Sequence, residues 1–160
     1  AIFSSHAGGF VGFGEDQSHH AGALTNRGVA TALKNALGRI HGAPDKLEVL
    51  GFDACNMQAF GAADDYVDVA KYLLASEAEE PGHGWYYSAL SQASSTVDLS
   101  KQIVSDFLRF AQGSHHTSPK TLAVVDLSVY RYFVASFENL SAHLLSALAH
   151  GDTSLHAFIS

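Results

Sequence analysis

Two side chains in this sequence can do nucleophilic chemistry together. Lys46 to Met57 reads KLEVLGFDACNM and carries Cys55, the single cysteine of 160 residues. Ala1 to Gly9 reads AIFSSHAGG and carries His6, followed at once by a small-residue turn. A free thiol has a pKa of about 8.5 and is mostly protonated at neutral pH. An imidazole within reach can take that proton, or hold the thiolate as an ion pair, and later protonate a leaving amine. Backbone N–H groups of Ala7 and Gly8, with that of Cys55, could then hold a developing oxyanion. The plain alternative is that Cys55 is a small buried hydrophobe, as lone cysteines commonly are.

The elements that must position these residues can be read from the pattern. Leu47, Val49, Leu50 and Phe52 form a short apolar run bounded by Pro44 and by small polar residues, which suits a strand buried on both faces. Ala1 to Ser5 reads as a second strand, and Thr25 can cap a helix running to Leu37, with Val29, Leu33, Ala36 and Leu37 on one face and Gly38 as its stop. A strand, crossover helix and strand of this length imply a parallel pair. Parallel neighbours lie ~4.8 Å apart, and ligands in open α/β sheets bind beyond the carboxyl ends of the strands. His6 and Cys55 are both expected there. The spacing further predicts a helix over 56–65, with Met57 and Phe60 inward and its N-terminus beside the thiol. A strand is expected over 70–75, a helix start at 85–90 and an amphipathic helix through Leu99, Ile103, Val104, Phe107, Leu108 and Ala111. A strand over 121–127 and a long helix capped by Ser128 and ended by Gly151 complete the pattern. Loops carrying His19, His20, His115 and His116 read as solvated, since no metal-ligand spacing such as HExxH appears.

Composition sets limits. The chain is 47% hydrophobic and 16% charged, with a formal charge of −7. That is globular rather than disordered, and an acidic chain without a Lys/Arg cluster is a poor nucleic-acid binder. One cysteine excludes an internal disulfide and a multi-cysteine zinc site. No apolar run approaches the ~20 residues of a membrane span. There are no repeats and no clear internal boundary, so residues 1–160 read as a single domain.

The pair SHAGG and GFDACNM resembles the clostripain-like cysteine peptidases, part of the caspase-like group with gingipains, legumains and separases. LLASEAEEPGHGWYY at 73–87, TLAVVDLS at 121–128 and, weakly, LTNRGVATAL at 24–33 follow in the family's order. The resemblance implies an α/β fold, a caspase-like three-layer α/β/α arrangement with a mostly parallel sheet. In that group more strands and at least one helix precede the histidine strand, so the sequence reads as a fragment lacking its N-terminal strands, with the remainder of the parent chain as a partner. It implies a cysteine endopeptidase acting on peptide or protein substrates, with Cys55 as nucleophile and His6 as acid and base. It also implies a primary pocket for basic side chains, with Asp53 as one acid. The second acid is expected in EPGDGW, but here His83 stands in its place, which puts basic specificity in doubt. Ser76, Glu77 and Trp85 follow the family as pocket-wall residues, and Asp16 matches a loop aspartate. Ala7 replaces a usual glycine and would be strained at positive φ. Relatives are matured by cleavage between the two catalytic segments, where Arg27, Lys34, Arg39 and Lys46 lie. No cofactor is implied, although some relatives depend on calcium; no calcium loop can be identified. By the same analogy the location is secreted or cell-envelope. A peptide-binding module without catalysis, favoured by Ala7 and His83, and a thiol hydrolase acting on a non-peptide ester or amide remain as competing readings.

Overall fold

The computed structural model describes residues 1–16, 18–19, 22–91, 93–111 and 120–151. Its centre is β2 (Leu47–Asp53), which alternates between two cores. Leu50 and Phe52 are fully buried. The Phe52 ring lies 5.8 Å from Phe3, 5.3 Å from Phe13 and 5.0 Å from Tyr66, centroid to centroid. On the opposite face Val49 joins Leu74, Trp85, Ile103, Phe107 and Leu122 in a second cluster. A strand buried on both sides reads as a nearly continuous apolar run, and this is why the sequence shows one there. Gly51 on the second face leaves room for the Trp85 ring, since a Cβ would lie 3.1 Å from it.

The four strands are ordered β1 (Ile2–Ser4), β2, β3 (Ala70–Ala75) and β4 (Ala123–Asp126). The first three are parallel and β4 is antiparallel to β3. The helix α1 (Asn26–Arg39) connects β1 to β2, and its Asn26 side chain accepts from the Tyr66 hydroxyl on the aromatic face. The helix α3 (Thr96–Ala111) covers the other face through Ile103 and Phe107. The result is an α/β fold with helices on both sides of a mostly parallel sheet, as expected.

Local differences have local causes. Thr25 caps α1 by accepting from Gly28 N–H, but the helix runs through Gly38 to Arg39 and the chain turns at Gly42, whose φ is +79°. Ala30 rather than Ala36 completes the buried face. The helix expected from 56 is only the short α2 (Phe60–Asp64). Asn56 sits at φ 60°, outside the right-handed helical region, and Phe60 is exposed. In place of the helix start at 85–90 there is a single 3₁₀ turn, Ser88–Ser91. The helix α4 (Leu127–Ala149) begins one residue before Ser128, with Asp126 Oδ1 accepting from the Ser128 N–H at 2.9 Å, and Gly151 ends it at φ +75°. His20, His115 and His116 lie outside the described residues.

The chain divides into two compact units, Ala1–Ser128 and Val129–Ser160. The first holds the sheet. The described part of the second is α4 and its Gly151 stop, in which the Phe133 ring lies 6.0 Å from Tyr130 and 6.4 Å from Phe137. Among the described residues no helix is long and apolar enough to cross a membrane.

Candidate active site

The register of β1 on β2 pairs Ser4 with Asp53. Two residues beyond each partner come His6 and Cys55, so both leave the carboxyl ends of adjacent parallel strands at matching height. They line one pocket of ≈ 220 Å³ together with Ser4, Ser5, Asp53, Ala54, Glu80, Pro81, Gly82 and Gly84. His6 is exposed and Cys55 half-buried.

The two loops are fixed from outside the pocket. Gly9, in the turn after His6, takes φ +62°, and a Cβ there would lie 3.0 Å from the Asn56 carbonyl. The buried Asn26 amide donates to Gly9 O at 2.9 Å. The turn after Cys55 is held by Asn56 N–H donating to Ala78 O at 3.1 Å and Gln58 N–H donating to Ser76 O at 2.9 Å. The helix N-terminus expected beside the thiol is not formed there, because α2 starts five residues on and is one turn long. Among the described residues the donor that reaches the sulfur is the backbone N–H of Glu80, 3.3 Å from Cys55 Sγ.

The expected oxyanion donors divide. The Gly8 N–H is committed to Gly12 O at 3.0 Å and is therefore not available. Ala7 and Cys55 N–H groups have no hydrogen-bond partner among the described residues. Ala7 does not adopt positive φ, so replacing glycine there carries no backbone strain.

Asp53 forms the floor. It is buried, and its Oδ2 accepts from Trp85 N–H at 3.1 Å and from the Tyr87 hydroxyl at 2.6 Å. Burial, and then the bond to Asp53, push the Tyr87 phenol up. The approach of Trp85 N–H requires Gly84, which has φ +65° and where a Cβ would lie 2.7 Å from Asp53 Oδ2. Beside Asp53 stands Glu80, which the motif reading passed over. Its Oε2 accepts from Trp85 Nε1–H at 2.9 Å. Its Oε1 is buried without a partner as an acceptor, while the carboxyl lies within hydrogen-bond reach of Asp53. Two ionised carboxylates can only accept, so the contact is satisfied when Glu80 is the protonated member. Burial foremost, and next Asp53, push the Glu80 carboxyl up to about 9.

The remaining expected pocket residues are placed elsewhere. His83 is exposed, does not line the pocket, and bonds through Nδ1 to Gly84 O at 2.7 Å. Glu77 is exposed outside the pocket, and its N–H donates to Thr121 Oγ1 at 3.0 Å. Ser76 is buried and bonds Thr121 Oγ1 at 2.9 Å. It braces the loop that delivers Glu80. Trp85 belongs to the core and acts on the pocket through its two N–H groups. The signal for Glu80 was the doublet of acids before Pro81, but only the fold shows which one turns inward. Asp16, in the exposed loop, accepts from Ser18 and His19 N–H groups and pairs with the His19 ring at 2.9 Å. Among the described residues no group of three or more His, Cys, Asp or Glu is placed to hold a metal ion.

The sequence profile described as the clostripain family matches residues 2–158. The chain belongs to the clostripain family. Among solved structures, a Bacteroides thetaiotaomicron clostripain in complex with the peptide inhibitor BTN-VLTK-AOMK is 27% identical with TM-score 0.58, over 74% of this chain and 48% of that one. A B. fragilis cysteine protease is 25% identical with TM-score 0.58, again over 74% and 48%. The secreted B. thetaiotaomicron C11 protease "iotapain", at 20% identity, shares the fold with TM-score 0.65 over 89% of this chain and 42% of that one. The chain thus spans less than half the length of these clostripain-family structures. No curated protein matches it.

Proposed function

We propose that this chain carries the catalytic centre of a cysteine endopeptidase that cleaves after basic residues. The observation that carries the reading is the convergence of His6, Cys55 and Asp53 on one pocket at the ends of adjacent parallel strands. His6 takes the thiol proton, and the sulfur attacks the scissile carbonyl carbon. The N–H groups of Cys55 and Ala7 hold the resulting oxyanion. As the tetrahedral adduct collapses, His6 returns the proton to the departing amine, leaving a thioester. Water, activated by the same imidazole, then releases the acid and restores the thiol. Asp53, without a competing lysine or arginine in the pocket lining, attracts a cationic substrate side chain. The lysine-ended inhibitor named with the B. thetaiotaomicron clostripain is in keeping with this. So is a secreted location, as for the C11 protease of that organism.

The test is kcat/KM on matched peptide reporters ending in Lys, Arg, Gln or Glu before the cleaved bond. Lys or Arg should exceed Gln by about tenfold or more, and Asp53→Asn should remove most of that preference, as expected for a charge pair worth at least ~1.4 kcal/mol. Hydrolysis with no preference would discard the basic pocket, and no hydrolysis of any reporter would discard the peptidase.

A further inference from the structure

The Asp53–Glu80 pair is not explained by peptide hydrolysis alone. Glu80 lines the pocket beside Asp53 and Cys55. Its Oε2 is pinned by the Trp85 indole, and the carboxyl lies within hydrogen-bond reach of Asp53. Glu80 Oε1 is buried and lacks a donor. Asp53 Oδ2 already accepts two hydrogen bonds, so a proton on Glu80 turns a contact between two acceptors into a donor–acceptor pair.

We propose that Glu80 is a proton-releasing member of the specificity pocket, holding a proton against Asp53 while the pocket is empty and giving it to solvent when a cationic substrate side chain docks. This rests on the reading that the pocket takes basic residues. The exchange balances: the ammonium or guanidinium enters, one proton leaves to buffer, and a single charge in the pocket becomes two facing the cation. The other titratable groups around Glu80 are Asp53 and Tyr87 at the floor and the Cys55 thiol and His6 imidazole across the pocket. None of them is a lysine or arginine that would already have drawn the proton off. Burial and Asp53 hold the Glu80 carboxyl up at about 9 in the empty pocket. A cation within ~4–6 Å lowers a carboxyl by about 1–3 units. A lowering of about two units releases about 0.8 proton around pH 8, and affinity for a cationic peptide rises with pH.

The experiment is calorimetric titration of the full chain carrying Cys55→Ala with a lysine-ended tetrapeptide amide and its norleucine counterpart, in buffers of differing ionisation enthalpy. Near pH 8 the lysine peptide should release about 0.8 proton. Its affinity should rise about tenfold between pH 7 and 8.5, given a shift of about two units. The norleucine peptide should release none. Adding Glu80→Gln should leave the lysine peptide bound with no release and a flat pH dependence. Preferential binding of the lysine peptide without proton release, or with a release that persists in Glu80→Gln, overturns the role of Glu80 and leaves the basic pocket standing. Failure to prefer lysine at all overturns the pocket itself, and this inference with it.

Discussion

At the scale of single residues, Glu80 places a protonated carboxyl where an ionised one would be ordinary. The folded protein holds that proton up to about pH 9, against a usual value of 4.5. Folding therefore takes up a proton between those limits, and this group makes stability fall as pH rises through that window. Glu80→Gln keeps the shape and removes the titration. Thermal unfolding of the variant should show a gain of about 1–2 kcal/mol at pH 7, discounted for the side chain's partial exposure, and no difference below pH 4. A destabilised variant at pH 7 would mean that Glu80 is ionised in the fold. His6 and Cys55 stand out in the sequence because each follows an apolar run, His6 with a small-residue turn after it and Cys55 as the single cysteine. Asp53 stands out through the family motif. Glu80 does not. Its role depends on a contact between the end of β2 and the loop after β3, 27 residues away from Asp53 in the chain, and no local pattern records which of Glu79 and Glu80 turns inward.

At the scale of elements, the long helices are legible because their apolar residues repeat with the helical period, and the strands because short apolar runs mark them. The parallel pairing of β1 with β2 follows from the crossover helix, whereas the places of β3 and of the antiparallel β4 have no such local sign. The stretch after Cys55 was misread as a helix because its composition suits one. Non-local bonds decided instead: Asn56 N–H and Gln58 N–H are drawn to the carbonyls of Ala78 and Ser76, and the left-handed Asn56 accommodates the turn. The loop after β3 is thus the element that completes the site. It holds the turn after Cys55 by two backbone bonds, supplies Glu80 and sets Trp85 on Asp53. Gly84 is its tightest point. Gly84→Ala would force a Cβ onto the Asp53 carboxylate at a positive φ. It should destabilise the fold by about 1–3 kcal/mol and erase the preference for Lys over Gln reporters. Thermal unfolding and paired kcat/KM values check this. Unchanged stability would show that the loop is not seated on Asp53.

At the scale of the whole molecule, the formal charge of −7 surrounds an acidic pocket. Fields of this kind speed the approach of cationic ligands and fade with ionic strength. The kcat/KM for a lysine reporter should fall several-fold between about 0.05 and 0.5 M salt, while that for a neutral reporter stays within about twofold. Equal salt responses would assign the preference to short-range contacts alone. At the centre stands the proposed activation of the Cys55 sulfur by the His6 imidazole across the ends of β1 and β2. Its most direct measurement is the rate and site of covalent labelling by a lysine-ended peptidyl acyloxymethyl ketone, read by intact mass and peptide mapping. A single adduct on Cys55, formed at least ~100-fold more slowly in His6→Ala, is the predicted result. An unmodified Cys55, or one labelled equally fast without His6, would contradict the account.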